Sequence, residues 1–173
     1  AQNNLEQKIK FIKGLSGKIK LPEKVDVIVS ETFSNIAVNE NILPNMLDAR
    51  KRFLKRGGII IPQNFNLYAV PVAFKPWQES LKCLGNVKGL NFAIDQLQDV
   101  DLQIRSEAIL PKYFLSKPKK IASIDFYQNN AVQLQISADF TVTQAGSFCG
   151  FAMWFDTVLY QNVGLSTAPD KPA

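Results

Sequence analysis

Residues 25–62 read VDVIVSETFSNIAVNENILPNMLDARKRFLKRGGIIIP. Val25–Val29 is a compact run with three valines, the composition of a strand buried on both faces. From Ile42 to Arg56 the apolar residues Ile42, Leu43, Met46, Leu47, Phe53 and Leu54 recur at helical spacing. Asn39 or Asn41 can cap this helix, and Pro44 is tolerated because it falls in the first turn. Arg56 and Gly57-Gly58 supply a cationic last turn and a left-handed stop. Ile59-Ile60-Ile61 comes next as a second buried strand, ended by Pro62. Strand, helix, strand in this order is a βαβ unit with a right-handed crossover.

Upstream, Lys8–Lys13 (KIKFIK) is a short strand candidate. Downstream of Pro62 the period changes to two. Asn66–Phe74 reads as a strand. Ile121–Tyr127 is separated by the Gln128-Asn129-Asn130 turn from the clearest alternation of the chain, Val132, Leu134, Ile136, Ala138, Phe140, Val142, with polar residues between. Phe148–Tyr160 is another long apolar strand. This half is mainly antiparallel β, a barrel or a sandwich, while Lys75–Lys117 is less regular and is assigned no single structure. The expected class is therefore α/β followed by mainly-β, with the boundary where the period changes, near residues 62–65.

The 173 residues allow one domain or two small ones. A content of 46% hydrophobic and 20% charged residues excludes a disordered tail, a collagen-like rod and a membrane-embedded protein. The N-terminus AQNNLEQKIK shows no secretory signal. Cys83 and Cys149 have neither metal-site nor disulfide-framework spacing, so reduced thiols and a cytoplasmic location are expected. The net charge of +5 is too modest to identify a nucleic-acid binder, and Arg50–Arg56 and Lys117–Lys120 read as solvated surface. The chain has no histidine, which excludes Ser-His-Asp and Cys-His hydrolases and any histidine-containing zinc site. Neither GxGxxG nor GxxxxGK[ST] occurs.

Chemistry belongs beyond the carboxyl ends of strands in an α/β sheet. There the first strand runs into Ser30-Glu31, and a loop leads to Glu40. Two carboxylates facing one pocket can share a proton, hold a metal, or grip a planar guanidinium bidentately. Set against this, Glu31 can simply cap a helix and Glu40 can sit at a helix N-terminus for its dipole. Trp154-Phe155-Asp156 can line a groove, although alternating aromatics in a strand more often form core. Trp77 has no readable role, Ser166-Thr167 shapes a turn before Pro169, and Asp26 can lie near a cofactor edge, although its strand-end placement favours an ordinary hydrogen-bonding role.

The Ser-Glu after a strand, the second Glu nine residues on, the Asp-Ala-Arg of the next helix, the Leu-Lys-x-Gly-Gly turn and the strand ending in Ile-Pro together resemble the centre of the protein arginine methyltransferases. The resemblance resumes at AMWFDTVLYQNVGLSTAPDKP, similar to the family's Trp-Phe-Asp strand and Ser-Thr-x-Pro segment. It covers residues 8–73 and 147–172 well and the region between only in outline. It implies a Rossmann-like S-adenosylmethionine domain through residue 62, then a β-barrel substrate domain over residues 63–173 with a dimerisation arm around 75–115. Glu31 and Glu40 would be the catalytic pair that orients an arginine guanidinium, with Ser30 and Phe33 beside the substrate. Gly14 and Ser16 would touch the cofactor. The implied partners are an arginine-containing protein or peptide and a second copy of the chain, with no membrane and no nucleic acid.

The resemblance also sets departures. The family's glycine-rich cofactor loop and ribose-holding acid would lie before Ala1, and its Thr-His-Trp segment after Ala173. The expectation is a fragment, inactive alone, with an exposed sheet edge. The adenine-contacting acid falls near Gly17, and Thr32-Phe33-Ser34 replaces Trp-Met-Gly. A methyltransferase with another acceptor, or an inactive interaction module, would keep the same fold.

Overall fold

The computed structural model describes residues 5, 8–34, 36–38, 40–74, 86–91, 109–128 and 132–169. The deciding segment folds as strand, helix, strand: β1 (Val25–Val29), α1 (Ile42–Phe53) and β2 (Leu54–Ile61). β1 and β2 pair in parallel, with Val27 opposite Ile59 and Val29 opposite Ile61. Pro44 stands in the first turn of α1, where its missing N–H costs nothing. Asn41 takes the cap position in a left-handed conformation, with no side-chain cap bond.

The helix ends three residues sooner than its apolar spacing suggests. Leu54 is already extended, and β2 begins with a bulge in which residues 55–58 lie out of one-to-one register with β1. Gly57 supplies the positive φ expected of it (78°), but inside this bulge and not as the helix stop. Gly58 is needed for a different reason: a Cβ there would lie 2.7 Å from Leu54 and 2.9 Å from the Asp26 carbonyl.

β3 (Asn64–Val72) opens the second half. The Asn86–Val87 strand (β4) and the Leu90–Asn91 strand (β5) form a short hairpin around Lys88-Gly89, both at positive φ. A 3₁₀ turn (Pro111–Tyr113) precedes β6 (Lys119–Asp125), followed by β7 (Gly150–Tyr160) and β8 (Val163–Ser166). These form an antiparallel sheet of order β6-β3-β7-β8, with β4-β5 as a separate ladder. The sheet is open, so the expected barrel is corrected: no closed barrel forms among the described residues.

Two strand predictions fail for one reason. Residues 132–142 and 8–13 carry no strand pairing, although the first has the chain's best alternation. Alternation sorts side chains by face, but a strand exists only where the backbone finds a ladder partner. The 132–142 segment is tied to the sheet by other means, its Asp139 carbonyl accepting a bond from Lys119 and its Phe140 ring lying 5.6 Å from Phe151.

The four-stranded sheet carries buried clusters on both faces. Phe65, Leu67, Ile124, Phe126 and Phe155 join Ala37, Ile42, Leu43, Met46, Leu54 and Ile60 from the βαβ unit in one buried cluster. Val70, Val72, Ala152, Trp154 and Ala168 form a second core cluster. Both parts of Trp154-Phe155 are thus core. β1 is covered on one face only, contrary to the sequence reading. Ile28 packs inward, while Val27 and Val29 are 43% and 70% exposed, because α1 shields a single face of a two-stranded sheet.

Candidate active site

Ser30 extends β1 by one bond, its N–H donating to the Ile61 carbonyl at 2.9 Å. Glu31 comes directly after, so the end of a strand fixes its backbone. The chain then has to reach Asn41, and its loop is held from the middle. Phe33 packs edge-to-face on Phe65 (5.3 Å) and Phe155 (5.8 Å). Ala37 is fully buried in the same cluster at positive φ, its N–H donating to the Ser34 carbonyl. Glu40, also at positive φ, immediately precedes the helix cap.

The two glutamates therefore stand at the two ends of a loop pinned by Phe33 and Ala37. Both are exposed, and neither has an ion-pair partner among the described residues. Their hydrogen-bonding capacity stays available to a ligand. Ser30 and Thr32 share a 2.9 Å hydroxyl bond that stiffens the loop entrance. Phe33, expected beside the substrate, spends its ring on the core and so positions the loop.

A signal that sequence reasoning passed over is Ser34. Its hydroxyl is buried with no hydrogen-bond partner among the described residues, a rare and costly state. Only burial reveals this; a serine in a loop gives no such hint from sequence.

Gly14 and Ser16 are placed elsewhere. Their turn is fastened to α1 by Arg52, which donates to the Ser16 carbonyl at 2.7 Å and to the Ile19 carbonyl at 2.8 Å. Arg52 also pairs with Asp48 one turn earlier. That hydrogen bond, aided by the guanidinium charge, holds the Asp48 carboxyl below its ordinary value and Arg52 above its own. Arg52 lies at the C-terminal end of α1, whereas the glutamate loop enters the N-terminal end, and a helix this long spans about 18 Å. The hydrogen bonds of the Ser16 turn thus run to the C-terminal end of α1.

Arg50, of the Asp-Ala-Arg motif, reaches the other way, donating to the carbonyls of Phe126 (2.7 Å) and Gln128. The Tyr127 hydroxyl between them accepts from the Ile60 N–H at 2.9 Å. In the second core cluster, Tyr68, Trp154 and Phe114 stack in sequence. Burial first, and then the Asp156 carboxylate, raise the Tyr68 phenol above its ordinary value. Asp156 also accepts from the Ser166 hydroxyl, which in turn accepts from the Ala168 N–H and so shapes the expected turn. Asp26 is paired with Lys55 at 2.9 Å. Trp77 and Cys83 lie outside the described residues, as does most of the 75–115 region. Among the described residues no cluster of three metal-binding side chains occurs, and no helix is long and apolar enough to cross a membrane.

Comparison with known proteins gives this geometry a context. The chain is 30% identical to the Xenopus laevis protein arginine N-methyltransferase 6 over 96% of its own length, and 32% identical to the Drosophila persimilis histone-arginine methyltransferase CARMER over 98%. It spans 53% and 34% of those two proteins. Its fold resembles the Trypanosoma brucei PRMT1 enzyme–prozyme heterotetrameric complex with AdoHcy, with a TM-score of 0.75 and 22% identity, covering 99% of this chain and 56% of that one. Residues 63–173 match the model of the arginine methyltransferase oligomerization subdomain. That match takes in well over half the chain, the open sheet included, and the relatives extend the likeness back through the paired-glutamate loop: this chain belongs to the protein arginine methyltransferase family.

Proposed function

We propose that the chain forms the acceptor-gripping part of an enzyme that transfers a methyl group from S-adenosylmethionine to an arginine guanidino nitrogen. The observation that supports it best is the loop of residues 30–41. It is anchored by Phe33 and Ala37, yet leaves Glu31 and Glu40 exposed and without ion pairs among the described residues. Two such carboxylates accept the N–H groups of a guanidinium bidentately. Held this way, the planar cation keeps its charge near the carboxylates and electron density on the attacking nitrogen. Bound S-adenosylmethionine would supply an electrophilic methyl carbon to that nitrogen, and the paired carboxylates of Glu31 and Glu40 would stand ready to accept the proton the methylated nitrogen gives up. The sulfonium is already activated, so positioning and electrostatics carry the rate. Contact of Gly14 and Ser16 with the methyl donor rests on resemblance alone; the Ser16 carbonyl is bonded to Arg52 of α1. An arginine-containing peptide as acceptor, a cytoplasmic setting and a homodimer complete the proposal. The dimer draws support from the oligomerization subdomain and from a structural relative that assembles as a heterotetramer.

The test is labelled methyl transfer to an arginine-glycine-rich peptide by the full-length gene product, wild type beside Glu31→Gln and Glu40→Gln. Both glutamates are exposed, so each variant is expected to fold and to bind S-adenosylmethionine normally. Transfer is expected to fall by about a thousandfold, the scale of losing a preorganised electrostatic contact. Wild-type transfer that persists in both variants would overturn the role of the pair. Transfer only to acceptors without arginine would move the assignment to another substrate.

A further inference from the structure

At the opposite end of the parallel sheet from the glutamates lies an open cleft of about 490 Å³, with Lys24, Arg50, Lys55, Arg56, Gly57 and Tyr127 among its walls. We infer that this cleft is a binding site for a phosphoryl-type anion, independent of the methyl-transfer reading. Four cationic residues line it from three separate pieces of chain: the residue before β1, the body of α1 and the bulge opening β2. The bulge creates the concavity, because residues 55–58 leave register with β1. At its tip Gly57 has positive φ, with nothing within 4 Å of where a Cβ would stand, so an anion can approach the backbone closely.

The cations are not equivalent. Arg50 is engaged by the Phe126 and Gln128 carbonyls, and Lys55 by Asp26. Lys24 reaches only the Lys51 carbonyl, at a long 3.4 Å, and Arg56 is exposed with no partner among the described residues. Two lightly held cationic residues thus line the cleft beside Arg50. The acidic groups nearby are already committed: Asp26 to Lys55, and Asp125 to its own turn through the Tyr127 N–H and the Gln128 amide. The Tyr127 hydroxyl is taken by Ile60, which leaves its half-exposed ring as a flat apolar wall beside the cations. The length of β1 separates the cleft from Glu31, about 16 Å. An anion here therefore does not compete with a guanidinium there, and the two ends of the sheet present opposite charge.

The test titrates the protein with inorganic pyrophosphate and, separately, with a phosphoserine peptide, following binding by calorimetry at low and high salt. The expectation is saturable binding of at least one probe that weakens steeply with salt. Lys24→Gln combined with Arg56→Gln should weaken it by about thirtyfold, the loss of two close charges. A control with the same change in net charge, Lys117→Gln with Lys120→Gln, should leave binding unchanged. Tighter binding of the phosphopeptide would point to a phosphoprotein as the source, and binding of pyrophosphate alone to a free phosphorylated metabolite. Absence of saturation with both probes, or equal weakening by the control pair, would overturn the site. Because all four side chains are exposed, unchanged circular dichroism should accompany every variant.

Discussion

At the scale of single residues, the two arginines of α1 show how one short stretch of helix splits into two structural tasks. Arg52 faces the Ser16–Ile19 turn, and Arg50 faces the turn after β6. Arg50 neutralises carbonyls at a chain reversal whose residues lie 76 and 78 positions away in sequence, so its value lies in long-range closure. Arg50→Met keeps the aliphatic stem and removes the donors. A charged donor to a carbonyl contributes roughly 1.5–3 kcal/mol, and the variant is expected to lose about 2 kcal/mol of stability in urea unfolding. A loss within experimental error would show that water replaces the guanidinium there at no cost. Motif spacing placed both arginines on a helix, but not their directions, which depend on turns far away in sequence.

At the scale of elements, the glutamate loop is the informative one. It has no ladder of its own and owes its shape to two apolar anchors. Phe33 touches rings from β3 and β7, and Ala37 is wholly enclosed. Phe33→Ala removes a half-buried ring and should cost the loop about 2 kcal/mol of local stability. Hydrogen exchange of the Ala37 amide is then expected to quicken about thirtyfold, with exchange in β3 nearly unchanged. Equal acceleration in both would mean that the loop opens only with the whole fold. The loop's glutamates were legible from residue type and spacing beside a strand end. Its anchoring was not, because the ring partners of Phe33, Phe65 and Phe155, come from strands far downstream.

For the whole molecule, the change of period at residues 62–65 does not divide the core. Gln63 donates to the Val158 carbonyl and accepts from the Phe126 N–H, and one buried cluster runs from α1 through β2 into the sheet. Phe155 stands at the centre of that cluster, edge-to-face with both Phe33 and Phe65. Phe155→Ala is expected to cost about 3–5 kcal/mol. In the wild type, helix signal and tryptophan fluorescence should unfold in a single shared transition. Two separated transitions would show that the βαβ unit and the sheet are energetically independent.

Local facts were already written in the order of residues: strand, helix and strand over residues 25–62, proline in the first helical turn, two carboxylates beside a strand end, and the antiparallel character of the half beyond Pro62. Those are properties of neighbouring residues, and periodicity records them. The tertiary structure alone decided which candidates became strands. Residues 132–142 have the pattern without a ladder partner, and β1 has the composition of a buried strand with one face in water. It also decided the early end of α1 at a bulge, the fastening of the Ser16 turn to the C-terminal end of that helix, and the open cationic cleft. Each of these depends on what the rest of the chain brings alongside, and a one-dimensional pattern has no term for a partner far away along the chain.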